Sequence, residues 1–345
     1  MAEDSLKKQI DKLSQEIMQM RRKTEKKNWM QIESKDKFSN IFPQIRYRKV
    51  LKGHFGKIYA MHWAQHDKGL VSASQDGKLI IWNAFTTHKL QAIMLRSSWV
   101  MTCAFSPSAK QVACGGLDNL CSIYKVEDNK DPLDRATKPP ELREHDGYLS
   151  CCRFVSDDQI VTTSGDGTCI LWSIESRQPI THYKDHTADV MSVSIAPGSS
   201  NEFVTGSCDQ SAKVWDLRTK GCVMDFQGCH ESDINSVSFF PDGKAFGTGS
   251  DNSRARLLDL RSCQQLQEYH DDKKFCCVTS VDFSKTGKLL FAGYDDYNVQ
   301  VFNVANGHKP ETLDLHENRV SCLGVSGDGG ALCTGSWDTF LRIFA

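Results

Sequence analysis

Four residue types recur together along the chain: a histidine, a serine or threonine, an aspartate and a strand-ending aromatic. The full sets are His54, Ser72, Asp76 and Trp82; His145, Thr162, Asp166 and Trp172; and His186, Thr205, Asp209 and Trp215. A hydroxyl, an imidazole and a carboxylate are the ingredients of a hydrolase triad. Their repetition points to a different use of the same chemistry. An active site is needed once, whereas a hydrogen-bonded staple serves every repeat. In such a staple the carboxylate accepts bonds from turn amides and the ring, and the ring links to the hydroxyl and the indole. Asp76→Ala or Asp209→Ala is therefore expected to cost folding stability rather than turnover.

The elements that must position these sets follow from their spacing. Seven times a turn residue, an acid in all but the degraded fifth frame, precedes by six residues the end of an apolar strand: Asp76/Trp82, Asp118/Tyr124, Asp166/Trp172, Asp209/Trp215, Asn252/Leu258, Asp296/Phe302 and Asp338/Phe344. The strand ends are 42, 48, 43, 43, 44 and 42 residues apart. A period of this length with strand-type content predicts an all-β, seven-bladed β-propeller over residues 46–345. In the first repeat the strands are expected at Ile58–Trp63, Leu70–Ala73 and Leu79–Trp82. The chain stops one residue after Phe344, so the last blade lacks an outer strand, and residues 46–52 are expected to supply it and close the ring. The segment Val126–Glu144, with Pro132, Pro139 and Pro140, is expected to be an exposed loop. The staple is incomplete elsewhere. The second repeat lacks the histidine, the fifth has Asn252 and Leu258, and the sixth has Ala292 at the hydroxyl position, so those blades are expected to be less firmly pinned. Histidines also precede the fifth, sixth and seventh frames at His230, His270 and His316.

Residues 1–28 are of another kind. Leu6, Ile10, Leu13, Ile17 and Met20 form a heptad seam on an otherwise polar helix, which is marginal alone and predicts a coiled coil with a second chain. Residues 29–45 read as a connector. A net charge of −1 gives no reason to expect nucleic acid as a partner. No run is apolar enough to span a bilayer, and the start lacks a signal-peptide core. The 14 cysteines lie mostly in apolar strands without Cys-x-x-Cys spacing, which suits reduced, buried thiols in a cytosolic protein rather than disulfides or zinc. With no phosphate loop or metal-ligand cluster, no catalytic, cofactor or metal site is expected.

The staple brings the turn and the start of the following inner strand onto one rim of the disc. The residues there are Lys57, Tyr59, Trp99, Met101, Leu117, Asn119, Tyr148, Asp189, Met191, Cys208, Asp233, Asn235, Asp251 and Trp337. Large apolar side chains at loop positions, ringed by polar ones, suit a protein-binding surface.

The stretches KIYAMHW (57–63), SASQDGKLIIWN (72–83), LRSSWVMTCAF (95–105), VACGGLDNLCSIY (112–124), GYLSCCRF (147–154) and TGSWDTFLRI (334–343) resemble the β subunit of heterotrimeric G proteins, from Arg46 to the end. The resemblance implies a WD-repeat propeller whose N-terminal helix pairs obligatorily with a small prenylated γ subunit. It also implies a rim that binds a GDP-loaded α subunit and, once released, effectors. The family's α contacts carry over onto the rim residues above, and those of the α subunit's N-terminal helix onto Phe55, Lys78, Ile80 and Lys89 on the side of the first blade. Membrane association at the cytoplasmic face of the plasma membrane would come only through lipidated partners. Asn252 and Leu258, an extra residue beside Lys273 and Lys274, and Phe55 depart from the family pattern. The second reading is a general cytosolic WD-repeat scaffold or adaptor, which needs no helical partner.

Overall fold

The computed structural model describes residues 45–65, 69–126, 139–199, 201–271, 275–309 and 311–345. The seam Leu6, Ile10, Leu13, Ile17 and Met20, its helix and the connector up to residue 44 lie outside the described residues. From Ile45 to Ala345 the chain forms seven four-stranded antiparallel sheets. Their inner strands are Ile58–Trp63, Val100–Phe105, Leu149–Phe154, Val190–Ile195, Ile234–Phe239, Val278–Phe283 and Val320–Val325, and each touches the next, the last touching the first. The fold is a seven-bladed β-propeller.

In each blade the inner strand mixes core and partial exposure, whereas the second and third, as in Gly69–Ser74 and Lys78–Asn83, are buried along most of their length, the third beneath the outer strand. In the seventh blade the order is Tyr47–Leu51, Leu341–Phe344, Leu332–Ser336, Val320–Val325, so a strand from before the first blade completes the last sheet. Leu51, 1% exposed, packs in one cluster with Trp82 of the first blade and Leu341 of the last. Of the expected loop Val126–Glu144, residues 127–138 lie outside the described residues, and its last part is not a loop. Glu141–Arg143 is a strand that pairs with Leu120–Lys125 as the outer edge of the second blade, because that sheet otherwise leaves the edge beside Cys121 uncovered.

Inner strands would leave free N–H groups facing the preceding blade. Polar side chains of the preceding blade take them up: His62 Nδ1 accepts from Phe105 N at 3.0 Å, Thr102 Oγ1 from Cys152 N at 3.1 Å, Ser192 Oγ from Val237 N at 3.2 Å and Asp282 Oδ2 from Val325 N at 2.8 Å. Burial, reinforced by the Arg153 charge, pushes the His62 pKa down to about 3, so the ring is neutral and keeps its acceptor nitrogen.

Candidate protein-binding site on the propeller rim

Four of the repeated sets form continuous relays. In the first blade Trp82 Nε1 donates to Ser72 Oγ at 2.8 Å, Ser72 Oγ meets His54 Nε2 at 2.7 Å, and His54 Nδ1 meets Asp76 Oδ2 at 3.0 Å. The third blade repeats this through Trp172, Thr162, His145 and Asp166, and the fourth through Trp215, Thr205, His186 and Asp209. The seventh joins Thr334, His316 and Asp338 at 2.7 and 2.8 Å but ends in Phe344, which has no N–H to give. Because an indole only donates and a carboxylate only accepts, the hydroxyl proton must go to Nε2 and the ring proton must sit on Nδ1. Burial pushes the carboxyls of Asp76, Asp166, Asp209 and Asp338 up, but bonds from the histidine rings, turn amides and neighbouring hydroxyls outweigh it and hold them below the ordinary range. The hydroxyls of Ser72, Thr162 and Thr205 are fully buried. A nucleophile with no surface, already bonded on both sides, attacks nothing. These are staples.

The sixth blade has Ala292 at the hydroxyl position, and exposed His270 has Nδ1 3.7 Å from Glu268. In the fifth blade His230 Nε2 meets Thr248 Oγ1 at 2.7 Å, but His230 Nδ1 and Asn252 Nδ2 are enclosed without a bond of ordinary geometry.

Each blade also carries one backbone bond from the residue before the turn acid to the residue before the inner strand. These are Gln75 N to Lys57 O, Leu117 N to Trp99 O, Gly165 N to Tyr148 O, Cys208 N to Asp189 O, Asp251 N to Asp233 O, Asp295 N to Cys277 O and Trp337 N to Arg319 O, at 2.9–3.2 Å. Three of these bonds join two rim residues read from sequence, Trp99 with Leu117, Asp189 with Cys208 and Asp233 with Asp251, while Lys57, Tyr148 and Trp337 pair with Gln75, Gly165 and Arg319. Gly116 makes the pair of Trp99 and Leu117 possible, since a Cβ there would lie 1.9 Å from the Trp99 carbonyl oxygen.

One strand position further on, every inner strand has a register shift that skips a residue: Tyr59, Met101, Ser150, Met191, Asn235, Thr279 and Ser321. A bulge re-aims its side chain. Sequence reasoning found four of these and missed Ser150, Thr279 and Ser321, which are small and polar. Those three clip the blades together, donating to Val190 O, to Val320 O at 2.6 Å and to Ile58 O at 2.5 Å. Asn235 is a clip as well, with Nδ2 on Val278 O at 2.9 Å and on Asp251 Oδ1 at 2.6 Å. Tyr59, Met101 and Met191 make no such clip and are half-buried. Their signal was size and apolarity at a position otherwise filled by small donors.

The rim has two electrostatic halves. Lys57 Nζ lies 4.1 Å above the Trp337 ring, Arg319 lies 5.2 Å from it, and Tyr59 meets it edge-on at 6.0 Å. Beyond them Trp99 is 48% and Leu117 52% exposed, and Asn119, at φ +61°, bridges to Asp146 O at 3.1 Å. The other half is acidic. Tyr148 Oη donates to Asp189 Oδ2 at 2.8 Å while lying 3.4 Å from Met191 Sδ, and Asp233 and Asp251 follow. Burial and the Asp233 carboxylate push the Cys208 thiol up to about 12, so it is no nucleophile.

On the side of the first blade, Phe55 is 84% exposed with Lys78 Nζ 5.5 Å from its ring, and exposed Lys89 reaches to 5.7 Å from Trp82. Ile80 is different. It is 1% exposed in the core cluster with Trp82, because the outer strand Lys89–Met94 covers it, so it offers a partner no surface. Leu90 and Met94 of that outer strand, 61% and 68% exposed, are the apolar surface there.

The comparisons agree with this architecture. The family described as "G protein beta WD-40 repeat protein" matches residues 1–345. A lobster (Homarus americanus) protein named guanine nucleotide-binding protein G(I)/G(S)/G(T) subunit beta-1 is 52% identical over 99% of this chain and 98% of its own length. Proteins named guanine nucleotide-binding protein subunit beta are 47% identical in Arabidopsis thaliana and 45% in Oryza sativa subsp. japonica, each over 86% of this chain and 82% of theirs. With a seven-bladed ring, structural staples where a triad was conceivable, and this likeness over the whole length, the chain belongs to the G protein β family of WD-repeat proteins, non-enzymatic signalling subunits.

Proposed function

We propose that the chain pairs through Leu6, Ile10, Leu13, Ile17 and Met20 with a small γ-type helix and uses the rim to hold a GDP-loaded α subunit. Effectors then compete for the same surface once α is released. The observation that carries the reading is the rim pair Trp99 and Leu117. Both are about half exposed, beside a Trp337 ring fixed by Lys57, Arg319 and Tyr59. Large side chains held rigid at the surface lose little entropy on binding, which is what a hot spot requires. The basic and acidic halves of the rim would orient the partner. Phe55, Lys78 and Lys89, with Leu90 and Met94, would receive a helix lying along the side of the first blade.

No helix among the described residues is long and apolar enough to cross a membrane. Attachment to the cytoplasmic face of the plasma membrane would come through lipids on the γ and α partners. The test is titration of α onto the chain purified with a γ helix. Trp99→Ala is expected to weaken GDP-α binding by about 2 kcal/mol, roughly 30-fold, without shifting the melting temperature. Unchanged affinity for Trp99→Ala and Leu117→Ala would move the α site off this rim.

A further inference from the structure

The fifth blade departs from the other relays at both ends, and the two departures fit each other. In the four complete relays a carboxylate accepts the ring proton at Nδ1 and also the next backbone N–H, at Phe55, Asp146, Thr187 and Glu317. Asn252 presents an amide instead. Its Oδ1 is already taken by the turn, accepting from Arg254 N at 3.2 Å, which leaves Nδ2 on the side of His230 Nδ1. Two donors cannot meet there. The conflict disappears if the His230 proton sits on Nε2, so that Nδ1 accepts from Asn252 and Nε2 donates to Thr248 Oγ1.

Thr248 must then send its own proton elsewhere, and the Arg256 carbonyl lies 3.4 Å from it. In the three tryptophan blades the strand-end residue sends an N–H to the hydroxyl. Leu258 sends none, so nothing competes for the Thr248 lone pairs.

We propose that Asn252 and Leu258 together reverse the direction of the fifth-blade relay, with His230 protonated on Nε2, and that this makes the fifth-blade relay acid-sensitive. A second ring proton would face the Asn252 amide with no carboxylate to receive it. The groups around the ring add no relief. Arg254 just before the third strand and Arg256 on it both bind the nearby Glu268 of the outer strand, which also lies 3.7 Å from His270. Arg256 also caps the Cys229 carbonyl just before His230. Burial first, and the Arg256 charge second, hold the His230 pKa down to about 3. In the first, third, fourth and seventh blades a protonated ring would meet Asp76, Asp166, Asp209 or Asp338 instead. The loop and turn joined by this relay carry Asp233, Asn235 and Asp251, so acid would loosen that sector of the rim.

Imidazole ¹⁵N spectra of the full-length chain labelled at histidine, with hydrogen exchange from pH 7.5 to 5, test this without reference to any partner. The expected result is Nε2–H at His230 and Nδ1–H at His54, His145, His186 and His316. Opening of residues 245–250, corrected for intrinsic exchange, should rise by about tenfold per pH unit below about 6.5, with no such rise in residues 159–164 of the third blade. Asn252→Asp should move the His230 proton to Nδ1 and remove the slope, and His230→Gln, which cannot titrate, should also remove it. An Nδ1–H signal at His230 in the unmodified chain, or a slope surviving in both variants, would overturn the proposal.

Discussion

Thr162 and Thr334 occupy equivalent places in their blades but serve different numbers of partners. Thr162 takes an indole N–H and meets an imidazole, whereas Thr334 meets only the imidazole because Phe344 stands at the strand end. Thr162→Val strands two buried polar groups and is expected to cost about 2–4 kcal/mol, and Thr334→Val roughly half of that. Denaturant unfolding of the two variants checks the difference, and equal costs would mean the indole bond contributes little. The pH response has two windows of known sign. His62 and His230 have depressed folded pKa values, so the stability each contributes is complete above about pH 6.5 and falls below that, by up to about 1.4 kcal/mol per unit for each. The staple aspartates are acids with depressed folded pKa values, so their contribution holds above about pH 3.8 and is lost as pH falls further. The staples were legible in the sequence because they recur. His62, Arg153 and Asp282 were not, because each occurs once, at the fifth position of an inner strand where other blades have Ala104, Ser194, Ser238 or Gly324. Ile80 could not be placed from sequence either, since its exposure is decided by an outer strand whose pairing the repeat does not specify.

Among elements, the seam between first and last blades and the second-blade turn bear the sharpest tests. Leu51→Ala removes a buried anchor of the strand Tyr47–Leu51 and is expected to cost about 2–5 kcal/mol. A calorimetric scan should show a lower melting temperature and, with a strand edge freed, more aggregation. Gly116→Ala forces the backbone of Trp99 away from the turn. It should lower both stability and partner affinity, a joint loss unlike the pure binding loss expected for Trp99→Ala. Third strands were visible in the sequence as apolar runs ending in an aromatic. Outer strands were not, because Lys89–Met94, Gln178–Tyr183 and Gly221–Phe226 are half exposed and alternate weakly. The bulges were also hidden. A skipped residue has no fixed type, and only the size of Tyr59, Met101 and Met191 betrayed it.

For the whole molecule, the ring is a rigid frame that presents unrepeated residues. Inter-blade clips from Ser150, Asn235, Thr279 and Ser321 and the N–H acceptors Thr102, Ser192 and Asp282 join neighbouring blades. Partner binding then requires little rearrangement. A signalling role demands that affinity depend on the state of the partner, since a ligand that binds two states equally shifts neither. The most direct measurement is the affinity of the γ-paired chain for one α subunit in its GDP-bound and activated forms, with the Trp99→Ala chain alongside. Strong preference for the GDP form is expected, with a loss of about 30-fold in that form for Trp99→Ala. Equal affinity for the two forms, with Trp99→Ala indistinguishable from the unmodified chain, would contradict it.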